Sequence, residues 1–104
     1  MATRHRYWAV LKTKQSTSEE ARRQVRLQDF EFYHPMYRSR PERGVRRNLP
    51  LFPYYLLVRI HARRDRWQAL ASTRGVSHLF MNGDVPARVP DVDVQKFRDI
   101  ENEL

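Results

Sequence analysis

The stretch NLPLFPYYLLVRI (48–60) contains the longest apolar run of a chain otherwise crowded with arginine. That run, Leu49 to Val58, is about half of what a membrane-spanning helix needs, and its tyrosines and branched side chains suit a strand. The strand begins at Leu51 or Phe52 and runs to Ile60. Pro53 lacks a ladder donor and belongs at the strand's start or edge. Alternation puts Phe52, Tyr54, Leu56 and Val58 on one side and Leu51, Pro53, Tyr55, Leu57 and Arg59 on the other. Both sides are apolar, whereas a sheet covered on one face alternates with polar residues. Either helices cover both faces of this strand, or part of one face is a surface kept for a partner. The pattern alone leaves both readings open.

Upstream of it, RYWAVLKTK (6–14) reads as a first strand, Tyr7 to Lys12. QSTSEEARRQVRLQD (15–29) reads as a helix, with Ser16 or Thr17 as cap, Glu19 or Glu20 closing a capping box, and Ala21, Val25 and Gln28 marking the inner face. FEFYHPMY (30–37) alternates as a second strand. RSRPERGVRRN (38–48) is a loop or hairpin tip punctuated by Pro41 and Gly44. Downstream, ARRDRWQALAST (62–73) is helical, with Trp67, Leu70 and Ala71 facing inward. VSHLFMN (76–82) is a fourth strand, GDVPARVP (83–90) a turn with a short extended piece, and DVDVQKFRDIENEL (91–104) a last helix capped by Asp91. The inner edge of that helix is Val94, Phe97, either Ile100 or Glu101, and Leu104. The order β-α-β-β-α-β-α predicts an α+β fold, a four-stranded antiparallel sheet flanked by helices in a ferredoxin-like manner, within one domain.

The 104 residues carry a formal net charge of +8 with 40% hydrophobic residues. A core is within reach, and the basic excess favours a polyanionic partner such as nucleic acid. With no cysteine, disulfides, thiolate metal sites and a thiol nucleophile are excluded. The start, MATRHRYWAV, lacks the apolar run of a signal peptide, so a cytoplasmic location is expected. His5, His34, His61 and His78 have no metal-ligand spacing. Three glycines form no phosphate loop. The acids fall mostly at helix ends, and no nucleophile has a base beside it. Neither an enzyme, nor a cofactor, nor a small-molecule substrate is expected.

Two basic features remain. Arg38, Arg40, Arg43, Arg46 and Arg47 make the 38–47 loop either a nucleic-acid backbone contact or simply a solvated tip. STRGV (72–76) sets Arg74 at a helix-to-strand turn, where it either reads a base edge or is merely an exposed arginine after a glycine-stopped helix.

Taken in order, YWAVLKTK, HPMY, PLFPYYLLV, STRGVSHLF and VPARVP resemble the N-terminal domain of the NusG family of transcription elongation factors, from about Tyr7 to Phe97. PLFPYYLLV with TRGVSH is most similar to the RfaH-like specialised members. The resemblance implies an α/β sandwich that rides on RNA polymerase. It implies an apolar patch on the clamp helices of the β′ subunit, a bridge toward the β subunit, suppression of pausing or termination, and a second surface on the non-template DNA strand. By position, the polymerase patch comprises Leu11, Phe52, Pro53, Tyr54, Tyr55 and Leu57. The DNA surface comprises Lys14, Arg22, Arg23, Gln24, Thr73, Arg74 and Gly75. The 38–47 loop matches a hairpin near upstream DNA.

The departures matter too. Tyr54 is larger than the glycine or asparagine usual after Phe-Pro. Arg66, Trp67 and Gln68 stand where RfaH has the segment that touches the β subunit, and Gln24 stands in place of a DNA-reading histidine. A KOW domain normally follows after a linker, and the sequence ends at Leu104 before one. The rival expectations are a freestanding basic nucleic-acid-binding module that works without polymerase, and an adaptor that uses the apolar patch to hold another protein or a second copy.

Overall fold

The computed structural model describes residues 6–102; His5 and Leu104, singled out above, lie outside them. The main sheet has four strands in the order β2-β5-β1-β6, with β1 at Arg6–Thr13, β2 at Glu31–Tyr33, β5 at Tyr55–His61 and β6 at Val76–Leu79. All three pairings are antiparallel, as expected from the order of elements. Helix α1 (Ser18–Leu27) and the short α2 (Gln68–Ala71) pack on one face, and α3 (Asp91–Asn102) packs on the other.

Strand parity builds both layers. Ala9 and Leu11 of β1, Leu56, Val58 and Ile60 of β5, and Val76 and Leu79 of β6 meet Ala21 and Val25 of α1 and Leu70 of α2 in the larger core. The opposite parity brings Trp8 and Leu57 against Val94 of α3, flanked by Val10, Tyr33, Val89 and Phe97. The apolar doubling of 55–60 therefore has its cause: helices cover both faces of β5. Burying a leucine or valine there contributes about 1.5–3 kcal/mol each.

Several expected elements are broken up. FEFYHPMY is two strands, because Pro35 cannot continue the ladder; β2 stays in the main sheet while β3 (Met36–Arg38) pairs with β4 (Asn48–Pro50) as a separate hairpin. The third main strand starts only at Tyr55. Residues 51–54 form a turn anchored by the Leu51 N–H on the Pro35 carbonyl (2.8 Å) and the Tyr55 N–H on the Phe52 carbonyl (3.2 Å). Pro53 sits in that turn, outside any ladder. The 62–73 helix shrinks to one turn, because the Asp65 carboxylate takes the His61 N–H at 2.6 Å and fixes 61–65 as a tight turn. Leu70 is buried and Ala71 is exposed. The 76–82 strand ends at Leu79, and β7 (Met81–Asn82) folds back on β8 (Val85–Pro86).

The caps differ as well. Thr17 precedes α1 without a side-chain cap bond, so no capping box forms; Glu19 and Glu20 sit in the first turn, where the helix dipole favours them. Asp91 lies inside the first turn of α3, where Pro90 supplies the first carbonyl, accepting from the Asp93 and Val94 N–H groups.

Candidate functional site

The turn at 51–54 carries the aromatic residues that β5 cannot bury. Phe52 is 39% exposed, Tyr54 36% and Tyr55 37%, and Pro53 is exposed beside them. Tyr55 stacks on Phe80 (centroids 6.0 Å apart), His78 meets Phe80 edge-on at 4.6 Å, and Phe52 meets Phe97 of α3 at 5.3 Å. Lys12 lies opposite both Tyr55 and His78 in the sheet, which places all three on the α3 side. Helix α3 covers the middle of that face and leaves this end open. The result is an apolar shelf edged by one lysine and one histidine.

Two residues expected in this patch do not line it. Leu11 is wholly buried and Leu57 is 6% exposed. Leu11 pairs with Leu56, so its side chain enters the larger core on the far face, and Leu57 is covered by α3. Neither offers surface to a partner; each supports the strands from behind. Phe80 and His78, absent from the sequence-based patch, take part in it. A register shift between Lys12 and Thr13 disturbs the alternation of β6 and hides that signal.

The shelf is tied to the β2–β3 kink. The His34 Nε2 lies 3.3 Å from the Phe52 carbonyl. Burial and, less strongly, the Arg22 guanidinium hold the His34 pKa below its usual value, against the opposing pull of that carbonyl and of Glu101. Neutral His34 donates there when its proton is on Nε2. Nearby, burial together with Glu101 pushes the Tyr33 phenol up to about 12, so it stays neutral.

The second surface is built around Gly75. Its φ is +89°, and an added Cβ would stand 2.6 Å from the Thr17 carbonyl oxygen and 2.8 Å from the Ala21 nitrogen. The turn thus closes directly onto α1, and the Lys14 N–H donates to the Gly75 carbonyl (2.8 Å). The turn sets Lys14 and Arg74 beside the N-terminal part of α1. Arg23 is exposed, 4.0 Å from Glu20, and Gln24 donates to Glu20 at 2.8 Å. Thr73 is different: it is buried, its hydroxyl donates to the Ala69 carbonyl (2.8 Å) and accepts from Gln28 (2.9 Å). Gly75 is buried too. Both shape the turn and leave its surface to Arg74. Arg22 and Arg23 both line a hollow with Phe32, His34 and Met36.

The five arginines of 38–47 ride on the β3–β4 hairpin, and all are exposed. Glu42 and Val45 exchange both backbone hydrogen bonds (2.9 Å each) around Arg43 and Gly44, whose φ values are +52° and +78°. This is a two-residue turn of the I′ kind. No carboxylate among the described residues lies within 4 Å of these five guanidinium groups.

A family model described as "Transcription termination factor nusG" matches residues 6–98. The chain belongs to the NusG family. This is a family of transcription factors that work by binding, without an enzymatic reaction. A solved structure described as "Domain interaction in Thermotoga maritima NusG" superposes with a TM-score of 0.69 at 14% identity, over 95% of this chain and 59% of that one. At that identity the likeness is one of fold, and it agrees with the sheet order and two-sided packing above. A comparison with curated proteins finds no match. No helix among the described residues of this NusG-family chain is long and apolar enough to cross a membrane. No cluster of metal-binding side chains occurs among those residues either.

Proposed function

We propose that the domain acts on transcription elongation in the cytoplasm by docking its aromatic shelf on the β′ clamp helices of RNA polymerase. Phe52, Pro53, Tyr54, Tyr55 and Phe80 make the contact. Lys14, Arg23, Gln24 and Arg74 then face the non-template strand, and the arginine hairpin reaches toward upstream DNA. Contact with the β subunit would fall to the turn around Arg66, Trp67 and Gln68. Bound in this way, the protein suppresses pausing or termination by holding the clamp, and no bond is made or broken.

The observation that carries this reading is the exposed aromatic cluster at the uncovered end of the sheet, with Tyr55 stacked on Phe80. Clustered, part-exposed aromatics of this kind are the usual anchors of an interface with a helix. The test is capture of a β′ clamp-helix fragment by wild type, Tyr55→Ala and Phe80→Ala. Each truncation should weaken binding by about 2 kcal/mol, roughly thirtyfold. Wild-type affinity in both variants would refute the docking surface.

A further inference from the structure

The opposite end of the α3-side face is built of arginine. Arg6, Arg59, Arg88 and Arg98 surround a hollow of about 480 Å³ over Trp8 and Val94, with Asp91 and Gln95 on its rim. This size is ordinary for a ligand pocket, yet such pockets are mostly apolar, and this one is lined by cations. The guanidinium of Arg59 lies over the Trp8 ring (5.6 Å from its centroid), that of Arg98 over Trp8 (6.0 Å) and Tyr33 (5.0 Å), and that of Arg88 over Tyr7 (5.8 Å). Cation–π attraction holds the guanidinium groups near the rings, and their N–H groups remain able to bind an anion.

The charges are poorly balanced from within. Arg88 has Asp91 at 3.8 Å, and among the described residues no carboxylate reaches Arg6, Arg59 or Arg98 within 4 Å. Glu31 stands across the ladder from Arg59 without closing an ion pair. The neighbouring hollow shares Arg6 and Arg59 and adds Arg64 and Arg66, but there Asp29, Glu31 and Asp65 offset them. The uncompensated charge is therefore concentrated over Trp8. Like charges held together repel, and a bound anion would relieve that cost.

We propose that this arginine bowl grips the phosphodiester backbone of a nucleic-acid strand without reading its sequence. Trp8 is 3% exposed and Val94 equally covered, so neither a base nor an apolar peptide side chain has a surface to stack on. What the bowl offers is guanidinium edges, which match phosphate oxygens in pairs. The site lies about six β1 residues, roughly 20 Å, from the aromatic shelf, and it does not depend on polymerase docking.

The test uses the chain alone, with labelled dT20 and dA20 strands followed by fluorescence anisotropy over a range of NaCl concentrations. Each lost phosphate contact lowers the slope of log K against log salt by about 0.7 on a single strand. Arg59→Gln/Arg98→Gln should lower it by about 1.4, equally for both strands. The charge-matched pair Arg63→Gln/Lys96→Gln, exposed and outside the bowl, should lower it by less than half as much. Equal losses in the two pairs would reduce the bowl to diffuse charge and overturn the proposal, as would a loss confined to one strand. Labelled ATP or polyglutamate binding more tightly than dT20 at the same salt, with that binding lost in Arg59→Gln/Arg98→Gln, would also overturn it and assign the bowl to a free polyphosphate or an acidic peptide. Should a thermal melt show that the first pair unfolds the chain, Arg6→Gln/Arg88→Gln at the exposed rim carries the same expectation.

Discussion

Gly75 shows what one missing Cβ does here. Its backbone is left-handed and its α-hydrogen faces α1 at a distance no side chain tolerates. Gly75→Ala should cost about 2–4 kcal/mol in denaturant unfolding, since strain and collision add. Gly44→Ala, with φ also positive but open space around it, should cost only about 1 kcal/mol. His34 gives a residue-scale signature in pH. Its folded pKa lies below the unfolded value of about 6.5, so the unfolded chain takes up the proton first. Stability is then complete above about pH 6.5 and falls as pH drops toward the folded value. Melting temperatures of wild type and His34→Gln between pH 7.5 and 5 should converge as acid is added. Parallel curves would count against this role. Leu11 marks the limit of reading residues from sequence: its apolar character was plain, but its partner across the ladder, Leu56 rather than Leu57, set which face it entered.

Among the elements, β1 and β5 were legible as compact apolar runs and α1 by the helical spacing of its inner face, each long enough to outweigh local accidents. The hairpin and the short α2 were less so. Their form depends on single bonds and single residues: Pro35 splitting one strand, and the Asp65 carboxylate closing a turn where helix was expected. The apolar shelf was half legible for the same reason. Phe52, Pro53, Tyr54 and Tyr55 are consecutive and conspicuous, whereas Phe80 joins them only through a bulged strand. The hairpin tip also holds a testable compromise. Arg43 adopts a φ of +52°, which asparagine tolerates better in this turn. Arg43→Asn should raise stability by a few tenths of a kcal/mol in thermal unfolding, while removing one of the arm's five cations. A loss of stability would mean that the arginine side chain supports the arm.

Across the whole molecule, charge and apolar surface are segregated. One face of the sheet is sealed by α1 and α2, and the other is divided by α3 into an arginine end and an aromatic end. The net charge was evident from the sequence, but its concentration over Trp8 was not, because Arg6, Arg59, Arg88 and Arg98 come from three separate parts of the chain.

Strand β1 runs unbroken beneath all three zones, from Arg6 through Trp8 and Val10 to Lys12. A central strand hydrogen-bonded on both sides can neither stretch nor hinge, so it works as a ruler. Two ligands seated at its ends would be held at a fixed spacing, each raising the local concentration of the other without altering the other's site. Their intrinsic affinities should therefore be independent, and the losses from Tyr55→Ala and from Arg59→Gln/Arg98→Gln should simply add in the combined variant.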